Sequence, residues 1–192
     1  MPQSVPMNVV LGRGPDAVMF LATAEAYTTG VVLCVGLRLR RRSDDSRATV
    51  TTQLMGGSPR GGADPDDRLM LGVQLPDGRR LVMQPGSVPP AGVDPFANPA
   101  APALTSMVGG LVGDLSQDFR YWLRPLPPAG RMLVVVRWSA LGIQETLNEL
   151  DAAALSAAGS SATVLWPQAP IEQRVQRPSP PPPTTGWFAQ TS

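Results

Sequence analysis

Histidine and lysine are both missing from the 192 residues, and there is a single cysteine, Cys34. Without imidazole the chain lacks the commonest general base, the usual activator of serine and cysteine nucleophiles, and the most frequent zinc ligand. One thiol can form neither an intrachain disulfide nor a multi-thiolate metal site. No catalytic residue, metal site or cofactor is therefore expected, and a non-enzymatic role is favoured. Charge is also scarce: 16% of residues are charged and the formal net charge is +1. So weak a field does not steer nucleic acid or acidic lipid, and neither a nucleic acid nor a membrane partner is expected. Met1 to Val10 carry no basic segment leading into a long apolar one; no conventional signal peptide is read, and a cytoplasmic location is expected.

What is present is core material. Apolar residues make up 43% of the chain, enough for one core but not for two large ones. Val9 to Leu11 reads as a first strand entering the turn Gly12-Arg13-Gly14-Pro15. Ala17–Glu25 and Val31–Leu39 alternate with period two about Thr28-Thr29-Gly30, which predicts a hairpin. In its second strand Val31, Leu33, Val35 and Leu37 share one face while Val32, Cys34 and Gly36 keep the other apolar. Such a strand is expected to be central and covered on both sides, with Cys34 an inert core thiol. Leu69–Leu75 and Arg79–Gln84 form a hairpin across Pro76-Asp77-Gly78, and Phe119–Arg124 and Met132–Trp138 another across a Pro-rich turn. The period then becomes helical. Ile143, Leu147, Leu150 and Ala154 predict a helical excursion between Gly142 and Gly159, followed by a short strand at Thr163–Trp166.

The 22 prolines and 19 glycines cluster, and the clusters mark loops and tails. Arg41–Asp67 holds only a weak strand-like island at Ala48–Leu54, and Pro85–Gly113 has neither period. The expected organisation is one β-rich domain over 1–167 with long mobile loops near 41–67 and 85–115, then a Pro-rich disordered tail over 168–192. The expected fold class is mainly β: an antiparallel β-sandwich of seven or eight strands, immunoglobulin-like in general form, with one C-terminal helical segment.

Each motif that suggests chemistry meets a plainer alternative. Residues 17–37, followed by Arg38 and Arg40 to Arg42, resemble a membrane helix with a basic flank, but Glu25 and Thr-Thr-Gly stand in the middle of the segment. Asp114, Asp118, Glu145, Glu149 and Asp151 are the candidates for carboxylate chemistry, and Glu145 with Asp118 is the pair a hydrolase or lyase would require. Glu145 and Glu149, four apart, share a face of the expected helix. Asp64, Asp66 and Asp67 recur like calcium ligands without a closing Glu. Gly12-Arg13-Gly14 and Gly56-Gly57 to Gly61-Gly62 lack the residues of a phosphate loop. Arg38–Arg42 with Arg47 is basic, but no aromatic interleaves it for base stacking. Pro180–Pro183 with Trp187 and Phe188 could dock in an aromatic groove, although a spacer is the plainer reading.

Leu69–Arg80, Gln117–Arg124, and the stretch from Trp138 through Gly142-Ile143-Gln144-Glu145-Thr146 to Leu165-Trp166-Pro167 resemble uncharacterised proteins of actinobacteria. The resemblance spans most of the chain outside the loops and tail. It implies a shared β-rich fold and supplies no site residues. From the residues themselves, the expected function is a protein-interaction or structural module with an unknown protein partner. Its contact face would comprise Tyr121, Trp122, Arg124, Arg137, Glu145 and Glu149, drawn from the aromatic hairpin and the expected helix, with arginines as a polar rim. A membrane-anchored protein and a carboxylate-dependent hydrolase or lyase are the alternatives. Partner identity and oligomeric state lie beyond these residues.

Overall fold

The computed structural model describes residues 1–40, 69–83, 102–107 and 113–166. Among these, nine strands form two antiparallel sheets: β1 (Gln3–Arg13), β2 (Ala17–Tyr27), β3 (Gly30–Leu39), β4 (Met70–Gln74), β5 (Arg80–Val82), β6 (Ala103–Met107), β7 (Ser116–Arg124), β8 (Arg131–Trp138) and β9 (Ile143–Asp151). One helix, α1 (Ala153–Ser160), follows β9. The five-stranded sheet has the order β1-β2-β3-β7-β6 and the four-stranded sheet β5-β4-β8-β9. This is the expected mainly β, sandwich-like form with a helix near the C-terminus. The connectivity is not the ABED/CFG order of an immunoglobulin domain, because β1, β2 and β3 run as one meander.

Alternation decides which side chains meet between the sheets. Val31, Leu33, Val35 and Leu37 of β3, Phe119, Tyr121 and Leu123 of β7, and Met132, Val134, Val136 and Trp138 of β8 are all buried in one core. Trp138 reaches across to Phe119 in an edge-on contact with 6.2 Å between ring centroids. In β2 a bulge between Leu21 and Thr23 changes the phase, so Met19 and Leu21 are followed inward by Ala24 and Ala26. β3 is the central strand of its sheet, as the two-sided apolar pattern predicts.

Four segments differ from the sequence expectation. β1 is eleven residues long, not a short run around Val9. Pro6 is tolerated because β1 is an edge strand, and Asn8 sits at φ 51° where the register slips between Pro6 and Val9. β6 lies inside the Pro/Ala-rich stretch expected to be loop; it is a five-residue edge strand with only Leu104 buried. Most consequential, Ile143–Asp151 is a strand, and the helix begins only at Ala153. Thr163–Trp166 is not a strand. Residues 17–37 form most of the β2–β3 hairpin instead of a helix, and among the described residues no helix is long and apolar enough to cross a membrane.

The reason β9 imitates a helix lies at the seam between the sheets. Its inward positions Thr146 and Asn148 do not enter the apolar core; both side chains donate to the carbonyl of Leu11 in β1. Leu11 is the extra residue of a bulge between Val10 and Gly12, so it has no partner in β2. Gly12 lets β9 approach: a Cβ there would stand 2.5 Å from Ile143 Cγ2. With polar residues inward and Leu147 outward, the period of two is erased and an accidental spacing of 143, 147, 150 and 154 remains. The 41–68, 84–101, 108–112 and 167–192 stretches, including the Ala48–Leu54 island, the aspartates 64, 66 and 67, the Gly56–Gly62 run, the Arg41–Arg47 part of the basic patch and the Pro-rich tail, lie outside the described residues.

Candidate protein-interaction face

The two outer faces of the sandwich are finished differently. On the five-stranded sheet, the end of the Phe20 ring lies over Gly36, where a Cβ would stand 2.4 Å from it. Arg38 stacks on Phe20 at 5.1 Å and pairs with Asp118 at 2.9 Å. Arg120 pairs with Glu25, and Trp122 meets Tyr27 edge-on at 5.5 Å. Val32 beneath them is 2% exposed. This face is covered by its own side chains, which is why β3 could be apolar on both sides without a third layer. Cys34 belongs to this covering and is half-buried on the outer surface, in register between Thr23 and Arg120, and is not a core thiol.

The four-stranded sheet is apolar outside, and among the described residues nothing covers it. Register places Val82 opposite Gly72, Gly72 opposite Val135, and Val135 opposite Leu147, one row across all four strands. The adjacent row is Arg80, Gln74, Leu133 and Glu149. On the other side Met70 stands opposite Arg137. These residues other than Glu149, together with Glu145, line a groove of about 310 Å3. Its walls are Val82 and Leu147, 56% and 64% exposed. Its floor is low at Gly72, because a Cβ there would meet nothing nearer than 3.5 Å. Charge gathers at the margins: Arg80 on the β5 edge, Glu145, Glu149 and Asp151 along β9, and Arg131 paired with Glu149 at 2.7 Å. That pair is more than half exposed on both sides and contributes little to stability.

The six residues expected to share one contact face are split three ways. Tyr121 is inside the core at 2% exposure, and burial raises its phenol pKa far above the ordinary value. It cannot touch a partner, because inward positions on β7 alternate with outward ones. Trp122 and Arg124 stand on the self-covered face of the five-stranded sheet. Arg137, Glu145 and Glu149 alone come together, on the open face. Glu145 and Glu149 still share a side, since four residues is also two periods of a strand. Asp118 and Glu145 sit on outward positions of different sheets and do not converge. Among the described residues no three Asp, Glu, Cys or His side chains gather as a metal site. Val82, Gly72, Leu133 and Leu147 were not anticipated. A signal existed in Arg131-Leu133-Val135-Arg137, apolar at its middle on the outward side, which reads as a strand covered twice; here nothing described covers the second side. No family model, no curated protein and no solved structure matches this chain, so the functional reading rests on this face.

Proposed function

We propose that this protein is a non-enzymatic interaction module that binds a protein partner through the outer face of its four-stranded sheet. One observation carries the reading: Val82, Val135 and Leu147 form an apolar row beside a groove at Gly72, with charged side chains at its borders. An apolar centre with a polar rim is the composition of protein contact patches. A free thiol on the outer surface at Cys34 suits the reducing cytoplasm, where we also place it.

Leu147→Arg tests the reading, because the side chain is exposed and the fold should not notice the change. Binding of 1-anilinonaphthalene-8-sulfonate to the native protein is expected to fall, and proteins captured from a cell extract by immobilised wild type are expected to be lost from the variant. Equal dye binding and an unchanged captured set, with identical circular dichroism, would refute it.

A further inference from the structure

We infer that the occupant of this face is a second copy of the same chain, related by a two-fold axis lying in the contact plane parallel to β4 and β8. The inference rests on the reading of that face given above and names its partner. A two-fold contact must be self-complementary, so the pattern on the face has to match its own rotated image. Rotation about an axis along the strands, between β4 and β8, lays β5 of one copy over β9 of the other and leaves each row in place. Arg80 then meets Glu149 of the second copy, and Val82 meets its Leu147. Val135 of each copy enters the depression over Gly72 of the other, where a Cβ is missing and the nearest atoms stand off. Among the described residues of one copy Arg80 has no carboxylate partner, and the contact supplies one.

The other in-plane axis, across the strands, fails the same requirement. It lays each strand over its own image, bringing Arg137 towards Arg131 and Glu145 towards Asp151, with Leu147 facing Glu149. With the axis between the Val135 and Leu133 rows, like charges meet at both ends and the apolar row faces the polar one; with the axis through the Val135 row, Glu145 meets Glu149 and Arg137 meets Leu133. Pairing through the β9 edge is also disfavoured, because that edge is turned to β1 by the Thr146 and Asn148 hydrogen bonds to Leu11. Two sheets stacked with nearly parallel strands are a common packing, about 10 Å apart.

Four strands about 4.8 Å apart and three rows of outward residues give a footprint of roughly 350 Å2 per copy. At about 700 Å2 in total this lies below the roughly 1,000 Å2 that stable interfaces clear, so the dimer should be weak and reversible, with a Kd on the order of tens of micromolar or weaker.

Sedimentation velocity on the full chain, from about 1 µM to about 500 µM to bracket that Kd, tests the inference. The weight-average coefficient is expected to rise with concentration for wild type and to stay at the monomer value for Leu147→Arg. Arg80→Glu and Glu149→Arg should each weaken association about tenfold or more, since each repulsion occurs twice per dimer. Mixed one to one, these two variants should associate again, because both contacts in the mixed dimer are then Glu with Arg; the double variant should also self-associate. Rescue on mixing excludes misfolding as the cause of the single losses. A wild type that stays monomeric throughout overturns the second copy as occupant, while dye binding and capture that still depend on Leu147 leave the interaction face standing. Association that ignores both charge reversals, or is not rescued by mixing, overturns the two-fold arrangement. Loss of Leu147 dependence in every assay removes the face itself.

Discussion

Replacing Thr146 by Val and Asn148 by Leu, singly and together, probes the seam that decides the character of β9. Thr to Val keeps the side chain's size and Asn to Leu keeps its branched shape with bulkier ends, so the change common to both is the lost donor to the Leu11 carbonyl. Leu11 is 1% exposed. Its carbonyl accepts from Thr146 Oγ1 and, at 2.9 Å, from Asn148 Nδ2; the same two side chains approach the carbonyls of Val136 and Val134 only at 3.4 Å. Removing one donor leaves the other in place, and each single variant should lose about 1 kcal/mol. Removing both strands a buried carbonyl with no partner, which adds a desolvation cost of about 1–2 kcal/mol. The double variant should therefore lose about 3–4 kcal/mol, with a coupling of about 1–2 kcal/mol. Urea unfolding followed by tryptophan fluorescence measures all four corners of the cycle, and a chain of this size should show about 2–4 °C in Tm per kcal/mol. Strict additivity, or a double variant as stable as wild type, would show that the Leu11 carbonyl does not depend on β9.

Two further outcomes are expected. Burial holds the Tyr121 phenol far above its ordinary pKa, so the native state keeps its proton where the unfolded chain releases it; stability should fall by up to about 1.4 kcal/mol per pH unit above about pH 10. In Tyr27→Phe, which leaves Tyr121 as the only tyrosine, phenolate absorbance should rise together with loss of native tryptophan fluorescence, and ionisation completed while that fluorescence persists would contradict burial. Gly36→Ala should cost about 1–3 kcal/mol because its Cβ meets the Phe20 ring at 2.4 Å beneath Arg38. Gly72→Ala, with 3.5 Å of room, should be neutral or stabilise by up to about 1 kcal/mol; equal losses at the two glycines in urea unfolding would refute the difference between the faces.

The candidate face was only partly legible. Glu145, Glu149 and Arg137 were named as contact residues, but with Tyr121, Trp122 and Arg124, which belong to the core and to the opposite face. Alternation reports that successive residues point apart; it does not report which sheet a strand joins. The hairpins that carry Trp122 and Glu149 could be assigned to one surface or two until β7 was seen to pair with β3, and β8 with β4 and β9. Leu147 reads as part of the buried stripe of a helix because the inward side of its strand is polar.

By itself the sequence determined the β character, the hairpins around Thr28–Gly30, Pro76–Gly78 and the Pro-rich turn before Arg131, and the core lines of β3, β7 and β8. Those signals are local: a period of two and a turn residue act within a few positions of one another. Only the tertiary structure decided that Ile143–Asp151 is a strand, that Phe20 and Arg38 cover one outer face, and that Val82, Val135 and Leu147 form an apolar row on the other, uncovered among the described residues. Each of these depends on residues distant in the chain, such as Leu11 meeting Thr146 and Asn148. A buried carbonyl at a bulge requires donors from whichever strand passes it, and no pattern within that strand announces the requirement.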